Sequence, residues 1–146
     1  QENGVNVRLS QSDLPLLLEW RNANRNAFFD DREITPEEHE KWYQSRKECD
    51  DYMFIIHNGD TTIGCIGIRL LNGAWDIYNV IRGSEFGEGF MGIALRNIIN
   101  FAESTHDCPV KAKVKRGNRA IDWYLKNGFV IDYEQPDHIG IRFERR

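Results

Sequence analysis

Cysteine is scarce in this chain, and what there is lies far apart. The three cysteines, Cys49, Cys65 and Cys108, are too few and too scattered for a disulfide framework, and no CxxC or Cys/His spacing offers a metal site. This usage predicts a reduced, cytoplasmic setting and no metal. Long apolar runs are also missing: nothing approaches the roughly 18 apolar residues of a membrane helix, and the N-terminus lacks the basic and apolar regions of a signal peptide. No membrane partner is expected. Positive charge is not in excess either; the net charge is -4 and the pI about 5.6, so nucleic acid and anionic membranes exert no general attraction. The only basic strip is Lys111, Lys113, Lys115, Arg116 and Arg119. It reads equally well as a solvated strand edge and helix start, or as a place for a phosphate-bearing ligand. No repeat, low-complexity segment or linker interrupts the chain, and 146 residues, 40% hydrophobic and 29% charged, suit a single domain over 1–146 with one core.

Hydrophobic periodicity supplies the elements. Residues 5–9 alternate as a half-buried strand does, and Ser10 to Asp13 offer N-cap candidates for a helix bearing Leu14, Leu17, Leu18 and Arg21 on one face with Trp20 beside it. Phe28 and Phe29 follow in a polar setting, either packed under a loop or lining a substrate pocket. Thr35, Pro36 and Glu38 spell a second helix start, with Thr as N-cap, Pro at the first helical position and Glu completing a capping box. That helix ends near Lys47 or Glu48 and brings His39, Trp42 and Tyr43 together. His39 is a candidate proton-transfer group, although a lone helical histidine is more often a structural or surface residue. Runs 52–57, 62–70 and 74–81, joined by Asn58-Gly59-Asp60 and Asn72-Gly73, predict an antiparallel meander. In its third strand, alternation puts Ile77, Asn79 and Ile81 on one face and Asp76, Tyr78 and Val80 on the other. A buried helix over 90–105, a strand over 110–114, a helix ending at Asn127-Gly128, and strands over 129–133 and 139–143 complete the chain.

The turn between the meander and the long helix is rich in glycine: Phe86-Gly87-Glu88-Gly89-Phe90-Met91-Gly92. A helix N-terminus carries unpaired N–H groups and a partial positive charge, so glycines that let a phosphate approach make an anion site there. The spacing GxGxxG suggests a dinucleotide fold, but the following strand ends in Val114-Lys115 rather than in an acid, and an antiparallel meander is wrong for a doubly wound sheet. A Walker loop would need Gly-Lys-Ser or Gly-Lys-Thr, which does not follow.

Two segments resemble the GNAT superfamily of acetyl-CoA-dependent N-acetyltransferases. Gly87 and Gly89 with Phe90, Met91, Ala94 and Leu95 look like its cofactor-loop variant "GxGYMxxAL". Asn118, Ala120, Ile121, Tyr124, Lys126, Gly128 and Phe129 match its closing signature "NxxAIxxYxKxGF". With the order of elements, the resemblance spans nearly the whole chain. It implies an α/β (α+β) fold with a mixed, mainly antiparallel sheet of six to seven strands flanked by about four helices. Two positions depart from the family pattern: Phe86 stands where Gln or Arg is usual, and Glu88 puts a negative charge beside the pyrophosphate position.

The resemblance also implies a mechanism, in which an amine attacks the thioester of acetyl-CoA directly in a ternary complex. Acetyl-CoA is then a co-substrate, and no metal takes part. By likeness to the family, Tyr124 protonates the departing thiolate, and a main-chain N–H around Val80, Ile81 or Arg82 steadies the carbonyl oxygen. Gly87, Glu88, Gly89, Phe90, Met91, Asn118 and Lys126 belong to the cofactor side. Asp76 or Asn79 handles the amine proton, Asp76 being the one that titrates; the alternative for Asp76 is a plain strand-start acid at a turn. Trp20-Arg21-Asn22 and the run from Ile34 to Trp42 resemble the "WRN" and "IxxEEHxxW" segments of members acting on nucleotide-linked amino sugars, and of ribosomal-protein N-terminal acetyltransferases. Arg21, Phe28, Phe29 and His39 therefore fall on the acceptor side. The expected partner is a small-molecule amine, first an amino sugar. A protein N-terminus and a non-catalytic acyl-CoA-binding module are the alternatives, and a homodimer through the last strands is compatible with the family.

Overall fold

The computed structural model describes residues 6–46, 50–83 and 89–144. Seven strands form one sheet: β1 (Asn6–Arg8), β2 (Asp51–Asn58), β3 (Thr61–Leu71), β4 (Ala74–Arg82), β5 (Val110–Lys115), β6 (Phe129–Glu134) and β7 (His138–Phe143). Their spatial order is β1-β2-β3-β4-β5-β7-β6, and among the described residues only the β4–β5 pair is parallel. Four helices join them: α1 (Leu14–Ala23), α2 (Pro36–Ser45), α3 (Phe90–Thr105) and α4 (Ala120–Lys126). This is the mixed, mainly antiparallel architecture anticipated. Among the described residues no helix is long and apolar enough to cross a membrane.

Local chemistry accounts for most boundaries. The β3–β4 turn holds Asn72 at φ 53° and Gly73 at φ 79°, two successive left-handed residues of the kind a tight hairpin requires. At α2, Thr35 Oγ1 accepts from the Glu38 N–H at 3.1 Å, while a Glu38 carboxylate oxygen accepts from the Thr35 N–H at 3.0 Å. The expected capping box is therefore formed. The helix stops at Ser45, short of the predicted end, and Lys47, Glu48 and Cys49 lie outside the described residues. Ahead of α1 a 3-10 turn, Gln11–Asp13, takes up the polar segment, and the Asp13 carboxylate accepts from the Ser10 N–H at 2.9 Å.

The sheet is covered unequally. On one face α3 and α4 bury Ile77, Leu95, Ile98, Val114, Phe129 and Ile141. On the other, α1 and α2 bury Leu17, Trp20, Met53, Ile55, Cys65 and Ile81, all from the β1–β4 half or the helices themselves. Lys111 and Lys113, which project from β5 on that second face, are consequently exposed.

One expectation is corrected here. Ile77 and Ile81 do not share a face: Ile77 packs in the α3/α4 core and Ile81 in the α1/α2 core. The cause is a β-bulge. Cys65 pairs with Ile81 and Gly67 with Tyr78, so Asn79 and Val80 together oppose Ile66. Asn79 takes the extra turn at φ 51°. Alternation is reset at that residue, which strict period-two counting cannot anticipate.

Candidate active site

The bulge opens the sheet. Pairing between β4 and β5 runs from Trp75–Val110 to Ile77–Ala112 and ends there, although β5 continues to Lys115. Beyond Ile77 the edge of β4 that faces β5 has no strand partner among the described residues. The Gly83 N–H donates to the Ile63 carbonyl on β3 at 2.8 Å, and by the two-residue repeat of antiparallel pairing Ile81 turns the same way, leaving Val80 and Arg82 with N–H groups toward the gap.

A cavity of about 340 Å³ occupies this gap, with Asp76, Asn79 and Val80 of β4, Lys113 and Lys115 of β5 and Tyr124 of α4 among its walls. Its roof is the loop after α1. Lys115 Nζ donates to the carbonyls of Asn26 at 3.1 Å and Phe28 at 3.2 Å, and Asn118 Nδ2 to that of Ala27 at 3.3 Å. Asn118 Oδ1 accepts from the Ala120 N–H at 2.9 Å, so the same side chain starts α4.

Tyr124 is 5% exposed, with its ring against Trp123 and Phe129 at centroid distances of 4.9 and 5.1 Å. Among the described residues its hydroxyl has no hydrogen-bond partner, and it reaches the cavity. Burial raises its pKa, and the nearby Asp76 carboxylate raises it further, so the phenol stays protonated around neutrality. Asp76 is also raised, chiefly by burial. Arg69, whose Nε lies 3.1 Å from it, and the charge of Lys113 work against that shift. The site thus pairs an acid that holds its proton with a carboxylate brought nearer to neutral pH. Cys65, whose Sγ donates to the Asn79 carbonyl at 3.2 Å, has its pKa pushed up to about 12 by burial and is no nucleophile.

A second cavity, about 500 Å³, lies on the α1/α2 face and shares Arg21, Asp30, Arg69, Tyr78 and Asn79 with the first. His39 lines it, stacked on Trp42 at 5.1 Å, and burial followed by the charge of Arg21 lowers its pKa, which favours the neutral ring. The Arg21 guanidinium lies 3.7 Å over the Phe28 ring, and Nη2 donates to the Asp30 carbonyl at 2.8 Å. Its Nη1 is buried without a hydrogen-bond partner among the described residues. Asp30 and Glu38 are both engaged by Arg32, at 2.9 and 3.1 Å.

The structure therefore brings Asp76, Asn79, Val80, Tyr124, Asn118, Arg21, Phe28 and Phe29 to the first cavity, Phe29 at its exposed rim. His39 and Ile81 line the second. Arg82, Gly89, Phe90, Met91 and Lys126 line neither: Met91 is buried in the α3/α4 core, Gly89 is the open N-cap of α3 at φ 87°, and Lys126 is exposed at the end of α4. Gly87, Glu88 and Phe86 lie outside the described residues. Arg69 escaped the sequence reading. A two-residue turn at Asn72-Gly73 already puts residue 69 across from residue 76, and that arithmetic would have found it.

No curated protein matches the chain by sequence. Solved structures do match in fold. The chain is similar to the ribosomal-protein-alanine N-acetyltransferase of Brucella melitensis, at 18% identity and a TM-score of 0.77 over 94% of this chain and 98% of that one. It is similar to apo FdhC, a nucleotide-linked sugar GNAT, at 18% identity and 0.76 over 97% and 86%. It is also similar to the PaiA N-acetyltransferase of Thermoplasma acidophilum in complex with coenzyme A, at 17% identity and 0.72 over 97% and 98%. Identities this low speak for the fold alone. Membership rests on the sequence model of the acetyltransferase (GNAT) domain, which matches residues 7–130; with its sheet parted between β4 and β5, this chain belongs to that family of acyltransferases.

Proposed function

We propose that the chain is an acetyl-CoA-dependent N-acetyltransferase that acetylates a primary amine, most readily a nucleotide-linked amino sugar or a similar small molecule, by direct attack in a ternary complex. The observation that carries this reading is the meeting of Asp76 and Tyr124 in one cavity at the break between β4 and β5. Acetyl-CoA supplies the thioester carbonyl. The Asp76 carboxylate, directly or through water, accepts the proton that the ammonium must lose. The Val80 or Arg82 N–H stabilises negative charge on the carbonyl oxygen. Tyr124, kept protonated by burial, donates to the departing thiolate sulfur. On the cofactor side, the first turn of α3 with Gly87, Glu88, Gly89, Phe90 and Met91 holds the pyrophosphate. Gly89 fits that role, since no described residue lies within 4 Å of where its Cβ would stand and it caps the N-terminus of α3. Lys126 and Asn118 complete this side. Arg21, Phe28, Phe29 and His39 border the acceptor. A single cytoplasmic domain acting as a monomer or homodimer accords with this reading.

The test is direct. Acetyl-CoA raises the melting temperature, and free CoA thiol appears when an amino-sugar nucleotide is added. No thermal shift at millimolar acetyl-CoA would end the cofactor assignment. Binding without turnover across amines would point to a non-catalytic module, and an acetyl mass gain on a peptide α-amine alone to a protein substrate.

A further inference from the structure

The chain carries a net charge of -4, yet the walls of its central cavity are positive. Arg21, Arg69, Lys113 and Lys115 line it against two carboxylates, Asp30 and Asp76. The carboxylates are already committed. Asp76 is paired with Arg69, and Asp30 is held by Arg32. Among the cations, Lys115 is spent on the roof, through the Asn26 and Phe28 carbonyls and Asp31 at 3.9 Å. Two cations, Arg21 and Lys113, make no ion pair among the described residues. Arg21 Nη1 is a buried N–H donor with no acceptor among the described residues, on a guanidinium fixed by Phe28 and by the Asp30 carbonyl. Lys113 makes no hydrogen bond or ion pair among the described residues, and its charge is felt by Asp76 and by Asp137, whose own partner is His138 at 2.7 Å. An amine entering as a bare cation meets repulsion here, and a polyamine meets more of it.

We propose that the acceptor carries an anionic group, phosphate or carboxylate, which Lys113 pairs with and the charge of the Arg21 guanidinium supports, while its amine lies at Asp76. This deepens the acetyltransferase reading and rests on it. An amine joined to an anion brings no net positive charge into the cavity and gives Lys113 a partner. Lys111, two residues earlier on the same exposed face, extends the positive path along β5 for an acceptor with more than one negative group, the Asp132 carboxylate beside it being engaged by Arg142 at 3.6 Å. The basic strip noted in the sequence thus acquires a role for its first three lysines: two for the ligand and one for the roof.

Binding to the CoA-saturated protein separates the readings. Calorimetry is run first with CoA alone, then with glucosamine, glucosamine 6-phosphate, glutamate and spermidine as probes. Failure to bind CoA would overturn the acetyltransferase reading itself, whatever the probes do. Given CoA binding, glucosamine 6-phosphate or glutamate is expected to bind at least about tenfold more tightly than glucosamine, with spermidine weakest. Which of the two anionic probes leads tells phosphate from carboxylate. The preference is expected to shrink as salt rises from about 50 mM to about 300 mM. Arg21→Gln and Lys113→Gln should each reduce that preference about fivefold or more without changing CoA affinity. Lys113 is exposed, so its variant folds even if loss of Arg21 disturbs packing. Equal binding of glucosamine and its phosphate, strongest binding of spermidine, no probe binding at all, or an undiminished preference in Lys113→Gln would each overturn the proposal.

Discussion

At the scale of single residues, the chemistry depends on two groups moved by burial in opposite functional directions. Tyr124 is made a weaker acid and so keeps its proton; Asp76 is made a stronger base. Replacing Tyr124 with Phe removes the donor while leaving the ring that packs on Phe129. We expect kcat to fall about 100-fold with little change in KM, measured by thiol release, and an unchanged rate would remove Tyr124 from the acid role. Asp76 must be ionised to accept a proton. Because its folded pKa is raised, kcat/KM should climb with pH through a limb lying above the usual aspartate range, and Asp76→Asn should abolish both that limb and most of the rate. A pH profile that keeps its acid limb in the variant would assign the limb to another group. Tyr124 was legible in the sequence because its signature is local, a fixed spacing along one helix and the turn after it. Arg69, which tunes Asp76, was not singled out, because its partner is a strand away.

At the scale of elements, the bulge in β4 and the loop after α1 make the cavity together. The bulge separates β4 from β5, and Lys115 with Asn118 bridges the separation from above. Three hydrogen bonds to main-chain carbonyls hold the tip of the loop over the gap, while Arg21 and Asn22 of α1 tie its later part at Asp30 and Ile34. Lys115→Met should therefore release the roof while keeping the buried stem of the side chain. Its expected signature is a several-fold rise in KM for the acceptor with unfolding stability lowered by no more than about 1–2 kcal/mol, read by steady-state kinetics and urea denaturation. A KM that does not move would show that the loop holds its place without the lysine. Sequence reasoning recovered the capping box of α2 and both hairpin turns of the meander, since each is decided by a few adjacent residues. It missed the bulge because Asn79, not glycine, takes the left-handed conformation, and Asn-Val within an apolar strand carries no local sign of it.

At the scale of the whole molecule, two cores of unequal extent lie on either side of one sheet, and binding or titration at the site is felt in global stability. Acetyl-CoA at about 100 times its Kd should add about 2.7 kcal/mol, a rise of several degrees in Tm for a domain of this size. His39 gives the molecule a pH dependence of known sign. Its folded pKa is lowered by burial and Arg21, so the unfolded chain binds the proton more readily; stability is whole above the ordinary value of about 6.5 and declines as pH falls below it. Tm should drop between about pH 7.5 and about pH 5.5, and His39→Gln should flatten that drop; an equal slope in the variant would transfer the effect to other groups. By itself, the sequence determined the element order, the family, and the tyrosine and glycines of the two signatures, because these are written in periodicity and in short spacings. Tertiary structure alone decided that Asn79 resets the alternation of β4, that Lys113 flanks Asp76 from β5, and that Arg21 leaves a buried donor unused. Those facts depend on register between strands and on burial, which arise only when distant segments pack. The glycine turn belongs to the first kind of knowledge. The cavity that it would serve belongs to the second.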